Sequence, residues 1–255
     1  MIGCIVQARM GSSRLPGKTL MKLTKELSTL DFVINQISSS NLIDKIIIAT
    51  TDLEEDNIIE NTCNKLEIEC YRGSSSDVLD RYYKCTKKFH FDHIVRITAD
   101  CPLIDPEIID SVIEKYTTED FDYVSNTLKR TFPVGTDVEI FSFDILEKTW
   151  ECAKLPSERE HVTPFIRNKK MDFKLGNIEN NKNLGFHRWT LDREADLNLI
   201  RQIISKVNKN PILMDDVLDL FSIEPELIKI NEHIPQNEGM LKSLKRDDEI
   251  QNLVD

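Results

Sequence analysis

The chain has 255 residues, 40% of them hydrophobic, which is enough to bury one substantial core, so we expect a single domain spanning 1–255. Its formal net charge of −11 at pH 7 argues against binding to a long nucleic acid, which demands a basic face. No apolar run reaches the roughly eighteen residues of a membrane span, and Gln7 and Arg9 interrupt the opening segment too early for a signal peptide, so a cytoplasmic location without membrane contact is expected.

The first half of the chain alternates between strand and helix patterns. A short apolar run at Gly3–Ala8 leads into a Gly/Ser/Pro-rich segment, and a helical face follows Asp31, a candidate N-cap. The predicted elements that continue this alternation are a strand at 45–51, a helix at 54–66, a strand at 68–72, a helix at 77–89, a strand at 93–98, a helix at 106–116 and a strand at 123–126. This order predicts an α/β fold with a Rossmann-like, mostly parallel sheet and helices on both faces.

The regular alternation weakens in the second half of the chain. A small mixed α/β extension is predicted at about 130–190 and a largely helical part at 193–255, whose charged tail, 242–255, we expect to be poorly ordered. The predicted elements of the extension are an edge or antiparallel strand at 136–141, extended segments at 173–178 and 188–191, and helices at 143–152 and 158–167.

The loop after the first strand carries an unusual concentration of positive charge. Residues 1–25 hold five Lys and Arg and no acid, although an ordinary solvated surface has the same appearance. Gly11 and Gly17 permit close backbone approach to a ligand, and Arg9, Arg14 and Lys18 supply charge for phosphates. A P-loop is excluded because Ser12 stands where its first glycine belongs. The segment predicts a phosphate site, with a plain basic turn as the alternative.

The same loop, QARMGSSRLPGKTL, resembles the nucleotide-binding signature of the cytidylyltransferases that make CMP-activated acid sugars. The resemblance is greatest to the spore coat polysaccharide biosynthesis protein F branch. Further segments that look like family blocks, in family order, are 49–57, 71–82, 95–110, 122–127, 157–167 and 188–197. The resemblance implies a nucleotide-diphospho-sugar-transferase-like fold, a homodimer, and Mg²⁺-dependent transfer of CMP from CTP to an acidic sugar or similar anionic acceptor for surface polysaccharide or glycoconjugate biosynthesis.

Two aspartates are the candidate metal ligands. Asp100 follows the strand at 93–98 at the sheet edge that also carries the basic loop, so its carboxylate can hold Mg²⁺ against phosphates. By resemblance Asp192 is the second ligand and faces the acceptor. Each aspartate has a simpler interpretation as a turn or helix cap.

The resemblance also distributes roles among the other polar residues. Arg14, Lys18, Asp100 and Asp192 are the predicted catalytic residues, with Arg14 and Lys18 stabilising departing pyrophosphate. The predicted nucleotide-binding residues are Gln7, Ala8, Arg9, Met10, Gly11, Ser12, Arg72, Gly73, Asp77 and Ala99. The predicted acceptor-binding residues are Asp137, Glu139, Glu158, Arg159 and His161. Asp77 is equally a helix cap, Arg159 a solvated side chain and His161 a packing residue.

Two rival functions remain open from the sequence. A GT-A-type glycosyltransferase shares a nucleotide-binding α/β core and a metal aspartate, but it would need an Asp-x-Asp motif where this chain has Asp100-Cys101-Pro102. A catalytically silent nucleotide-binding subunit is the other rival, and the joint presence of the basic and acidic site residues argues against it. The central expectation is spatial, because the cationic loop and the two distant acids must converge around one polyphosphate.

Overall fold

A computed structural model describes residues 1–168, 171–236 and 238–252. Its strands are β1 (Ile2–Gln7), β2 (Lys45–Thr51), β3 (Glu69–Gly73), β4 (His93–Thr98), β5 (Tyr123–Ser125), β6 (Glu139–Ser142) and β7 (Leu175–Asn177). They form one sheet in the order β3-β2-β1-β4-β6-β5-β7. Strand β6 is antiparallel to both neighbours, and the other pairings are parallel. The predicted mostly parallel α/β sheet is therefore confirmed.

Helices surround this sheet and fill the C-terminal part. They are α1 (Thr29–Ile37), α2 (Asn57–Lys65), α3 (Val78–Phe89), α4 (Pro106–Thr118), α5 (Phe143–Cys152), α6 (Pro156–His161), α7 (Pro164–Arg167), α8 (Glu194–Val207), α9 (Met214–Ile223) and α10 (Glu238–Gln251). Short 3₁₀ turns lie at Lys18–Leu20, Glu54–Asp56 and Pro225–Ile230. No helix in the described part of the chain has the length and apolar character needed to cross a membrane.

Alternate side chains of the central strands enter different cores. Cys4 and Val6 of β1 pack with α1, α2 and α4, whereas Ile5 packs with α3 and α5 on the opposite face. Burial on both faces explains why the strand sequences are continuous apolar runs instead of alternating ones. A third cluster joins α8 and α9 to Trp189 and Leu191, next to the carboxyl edge of the sheet. The helical C-terminal part thus packs directly behind one side of the candidate site.

Three local expectations were wrong. Helix α1 is capped by Ser28, not Asp31, whose carboxylate instead accepts the Ser28 amide at 2.6 Å in a capping box. The single helix expected at 158–167 is two short helices, because Val162 has a φ of 69° and interrupts the hydrogen bonding. The tail at 242–255, expected to be poorly ordered, is helical as far as Gln251, where α10 ends, and 253–255 lie outside the described residues.

The sheet order changes direction at β1. The chain runs from β1 to β2 and β3 on one side, then returns to β4 on the other side. The carboxyl ends of β1 and β4 are neighbours, with Gln7 paired to Thr98, and the Ala99 amide donates to the Gln7 carbonyl at 3.0 Å. Open α/β sheets bind ligands at such a switch point, and both the basic loop and Asp100 emerge there.

Candidate active site

The basic loop is held in a defined shape by its own backbone and by one aspartate. The amides of Ser12 and Gly17 both donate to the Met10 carbonyl, at 2.8 and 3.1 Å, and the Met10 amide donates to Asp56 at 2.7 Å. Gly17 has a φ of 73°, a left-handed conformation that favours glycine. The loop therefore delivers Lys18 to the switch point from a fixed backbone.

Four charged side chains from three distant segments meet at that point. The Lys18 ammonium lies 2.6 Å from Oδ2 of Asp100 and 2.9 Å from Oδ1 of Asp192. Nε of Arg14 donates to the other oxygen of Asp192 at 2.5 Å. The expected convergence of the loop and the two acids is thus found. Neither acid acts as a helix cap, because their oxygens accept from side chains of the cluster.

The cluster is charge-balanced, and its groups fix each other's ionisation. Burial opposes the charge on Asp100, but the attraction of Lys18 and hydrogen bonds from Lys18 and Thr98 outweigh it and lower the pKa to about 2. Burial also opposes the charge on Asp192, yet Arg14 and Lys18 lower its pKa. For Lys18, burial is again the largest opposing effect, and the two aspartates raise the pKa. All three groups are therefore ionised near neutral pH.

The buried ion pair of Arg188 and Asp196 positions the chain segment that carries Asp192. The Arg188 guanidinium donates to both oxygens of Asp196 at 2.9 and 3.0 Å, and Asn231 donates to Asp196 at 2.8 Å. The amides of Asp192 and Arg193 also donate to Asp196, at 3.0 and 2.9 Å. Asp196 is fully buried, so this network fixes the chain that presents the Asp192 carboxylate to the loop.

A second buried network links the ends of β1, β4 and the start of β6. Arg96 donates to Glu139 and, at 3.0 Å, to the side-chain oxygen of Gln7. Glu139 also accepts from Tyr123 at 2.5 Å and Thr163 at 2.6 Å. Burial opposes its charge, but Arg96, Arg167 and these hydroxyls lower the pKa of Glu139 to about 2. Glu139 was predicted to bind the acceptor, and the structure gives it three hydrogen-bond donors inside the protein, Arg96, Tyr123 and Thr163.

The predicted nucleotide residues lie at the carboxyl edge but face different partners. Arg72 turns towards α2, where it donates to the carbonyls of Thr51 and Leu53 at 3.0 and 2.7 Å and pairs with Glu60. Asp77 caps α3 through the Asp80 amide at 2.9 Å. The remaining predicted nucleotide residues, Gln7 to Ser12, Gly73 and Ala99, lie in or beside the loops that follow β1, β3 and β4. Their roles in nucleotide binding stay predictions.

The predicted acceptor residues fall into two groups. Asp137 forms a two-bond ion pair with Arg130, at 2.6 and 2.7 Å, and so belongs to the segment before β6. Three others lie on α6, where Glu158 accepts the Lys154 amide at 2.9 Å, Arg159 pairs with Asp77, and His161 bonds Ser243 of α10 at 3.0 Å. Helix α6 therefore joins the segment around Asp77 to the C-terminal helix.

The carboxylate pair is compatible with magnesium. Across the described ranges, no group of three or more His, Cys, Asp or Glu side chains is arranged to hold a metal, so Asp100 and Asp192 would be its protein ligands. Mg²⁺ commonly takes one or two carboxylates and completes its shell with water and substrate phosphates. One oxygen of each aspartate already lies within 2.9 Å of a single cation, Nζ of Lys18.

Several residues of the site were missed by the sequence reasoning. Thr98 donates to Asp100 at 2.6 Å, and Arg96, Arg188, Asp196 and Asn231 support the two networks. A signal existed for Arg96, because a charged residue inside the apolar strand HIVRIT calls for a buried partner. Arg188 and Asp196 flank Asp192 in RWTLDREADL, but their pairing depends on how α8 folds back.

A Rossmann-like sheet with a basic loop and a carboxylate pair at its switch point is the arrangement of a nucleotidyltransferase. Residues 3–216 match the sequence model of the cytidylyltransferase family, and the chain belongs to that family. It is 37% identical to an uncharacterized protein of Methanocaldococcus jannaschii, over 91% of this chain and 95% of that protein. It is 31% identical to the spore coat polysaccharide biosynthesis protein SpsF of Bacillus subtilis, over 87% of this chain and 94% of SpsF. A cytidylyltransferase structure from Leptospira borgpetersenii superposes with a TM-score of 0.85 at 31% identity, covering 89% of this chain and 96% of that one.

Proposed function

We propose that this cytidylyltransferase moves CMP from CTP to an acidic sugar, a nonulosonic or related 2-keto-3-deoxy acid, or a similar anionic acceptor, in a Mg²⁺-dependent reaction that releases pyrophosphate. Membership of the cytidylyltransferase family supports the nucleotide. The name of the SpsF relative supports a role in surface polysaccharide or glycoconjugate synthesis. The observation that carries the proposal is the meeting of Arg14 and Lys18 with Asp100 and Asp192 at the switch point.

The chain's own residues supply the positioning and the charge for this transfer. The loop at Ala8–Gly17 offers backbone amides and positive side chains to the triphosphate, and Arg14 and Lys18 bind the β- and γ-phosphates. Asp100 and Asp192 would hold Mg²⁺, whose chemistry is to neutralise the phosphate charge.

The reaction itself exchanges one phosphorus–oxygen bond for another. The acceptor hydroxyl oxygen forms a bond to the α-phosphorus, and the bond from that phosphorus to the bridging oxygen of the β-phosphate breaks. Pyrophosphate leaves with the electron pair, which Arg14 and Lys18 stabilise. Asp192 accepts the hydrogen bond of the attacking hydroxyl and takes its proton. The protein aligns the two oxygens and lowers the cost of bringing them together.

The direct test is a matrix of nucleotides and acceptors. CTP, UTP, ATP and GTP are each combined with a panel of acidic sugars and Mg²⁺, and pyrophosphate release is recorded. Lys18→Ala and Asp100→Asn are expected to lower the rate at least about 100-fold, because each removes charge at the reacting phosphates. Lys25→Ala and Asp172→Asn, at exposed positions outside the cluster, are the matched controls. Full activity in correctly folded Lys18→Ala and Asp100→Asn variants would contradict the proposal.

The products separate the remaining alternatives. A glycosyltransferase would release a nucleoside diphosphate or monophosphate in place of pyrophosphate. A silent nucleotide-binding subunit would bind CTP without releasing either product.

The family resemblance also supports a homodimer and a cytoplasmic location. Sedimentation equilibrium of the purified chain tests the first proposal, and cell fractionation tests the second.

A further inference from the structure

A lysine lies between the two carboxylates that would hold the proposed metal. Nζ of Lys18 lies 2.6 Å from Asp100 and 2.9 Å from Asp192, so a single ammonium bridges the two carboxylates. The Lys18 side chain is 13% exposed and that of Asp192 10%, which places the contact largely away from solvent. A divalent ion between these acids would have to displace that ammonium.

The other oxygens of the two acids are also engaged. Oδ1 of Asp100 accepts from the Thr98 hydroxyl at 2.6 Å, and Oδ2 of Asp192 accepts from Arg14 at 2.5 Å. Each of the four carboxylate oxygens therefore has a hydrogen-bond donor within the protein. Two positive side chains balance two negative ones, so the cluster has no excess negative charge to attract a cation.

The Lys18 side chain can leave this position without any change in the loop backbone. The turn that carries it is fixed by the Lys18 amide on the Leu15 carbonyl at 3.3 Å and by the Thr19 hydroxyl on the Arg9 carbonyl at 2.8 Å. Only the flexible four-carbon stem of Lys18 has to rotate. A triphosphate bound against the loop offers oxygens that compete for the same ammonium.

We propose that Lys18 acts as a charge gate, which keeps the carboxylate pair closed to divalent cations until the triphosphate of the nucleotide draws the lysine away. This inference rests on the proposed function for the identity of the metal ligands. Its consequence is a linkage, because nucleotide and metal must each raise the affinity of the protein for the other by the same factor. Lys18 then has two positions in one cycle, on the acids before nucleotide binding and on the phosphates after it.

The gate is tested by measuring the affinity of the protein for Mn²⁺, a paramagnetic substitute for Mg²⁺. Electron paramagnetic resonance detects the bound ion, and no acceptor is added, so that no reaction takes place. Lys18→Met removes the charge and keeps the length of the side chain. Without nucleotide, it is expected to bind Mn²⁺ about tenfold more tightly than the unaltered protein, within the usual range for coupled ligands. CTP should raise the Mn²⁺ affinity of the unaltered protein by a larger factor than that of Lys18→Met.

Three further variants distinguish the gate from a general disturbance of the loop. Lys18→Arg retains a cation on the acids and should bind Mn²⁺ as weakly as the unaltered protein, and Lys25→Met changes the net charge equally without touching the cluster. The double variant Lys18→Met/Asp100→Asn should lose the gained affinity. Thermal melting checks that each variant is folded.

The outcomes distinguish the gate from the proposed function. If Lys18→Met binds Mn²⁺ no more tightly than the unaltered protein in the absence of nucleotide, while CTP still promotes Mn²⁺ binding, the gate is wrong and the metal site stands. If the unaltered protein binds no Mn²⁺ even with CTP, the metal part of the proposed function fails, and the gate fails with it.

Discussion

Replacing Glu139 with glutamine is expected to destabilise the protein by about 3 kcal/mol at pH 7. The pKa of Glu139 is about 2 instead of 4.5, and each pKa unit corresponds to about 1.4 kcal/mol, so ionisation favours the folded state by about 3 kcal/mol. Removing one partner of a buried ion pair commonly costs about 3–5 kcal/mol, which agrees with the value expected for Glu139. In this variant Arg96 keeps its charge and its hydrogen bond to the Gln7 side chain, but it faces a neutral amide in place of the carboxylate.

The stabilisation that Glu139 provides should depend on pH. The folded-state pKa of Glu139 is lowered, so its stabilisation is present above about pH 4.5 and is lost as the pH falls towards 2. Urea denaturation of both proteins should give a difference near 3 kcal/mol from pH 7 to 5, falling to about half at pH 3. Glu69→Gln, in the exposed ion pair with Lys45, is the control and should cost under about 1 kcal/mol. A difference under 1 kcal/mol for Glu139→Gln, or one independent of pH, would refute the reasoning.

Three further outcomes are expected. Gly135→Ala should cost more than about 3 kcal/mol in urea denaturation, because its φ is 106° and a Cβ there would lie 2.6 Å from the Thr190 amide nitrogen; a wild-type midpoint would contradict this. Asp196→Asn should replace the charged partner of Arg188 with a neutral one, and so lower the free energy of unfolding by about 3 kcal/mol and also lower kcat. A variant that loses stability but keeps full kcat would show that the network does not position Asp192. Burial, together with the charge of Arg96, lowers the pKa of His161 to about 4, so NMR titration of its ring should give a midpoint below 5. The free energy of unfolding should fall as the pH is lowered from about 6.5 to 4, because in this range His161 is protonated in the unfolded chain but not in the folded one.

The sequence predicted best those elements whose pattern is local. Strands β2 and β4 and helix α5 were predicted with the bounds that the structure has, since β-branched apolar runs and a helical apolar face define them without help from the rest of the chain. The break at Val162 was missed, because a valine in the left-handed region gives no sequence signal. Helix α6, which precedes the break, packs against α3 and α10, contacts that a local sequence pattern does not reveal.

The residues of the candidate site likewise divide into those with a local sequence signal and those that depend on tertiary packing. Arg14, Lys18, Asp100 and Asp192 were predicted from the loop chemistry, the strand end and the family resemblance, and the structure brings them together. The orientation of Arg72 was not predictable, because its partners lie at the end of β2, in the loop that follows and on α2, and depend on how these segments pack together. The Asp196 network was hidden for the same reason, since Asn231 lies 35 residues away along the chain.

The reversal of β6 brings a further segment of the chain to the sheet edge where the basic loop and Asp100 lie. Because β6 runs against its neighbours, the segment that enters it, 126–138, arrives at the same sheet edge where β1 and β4 leave. Val134 in this segment forms a β-bridge with Arg188, and the Trp189 amide donates to the Val134 carbonyl at 2.7 Å. A change in this connection is therefore transmitted to the chain that carries Asp192, whereas the register of β1 to β4 is set by their own parallel pairings.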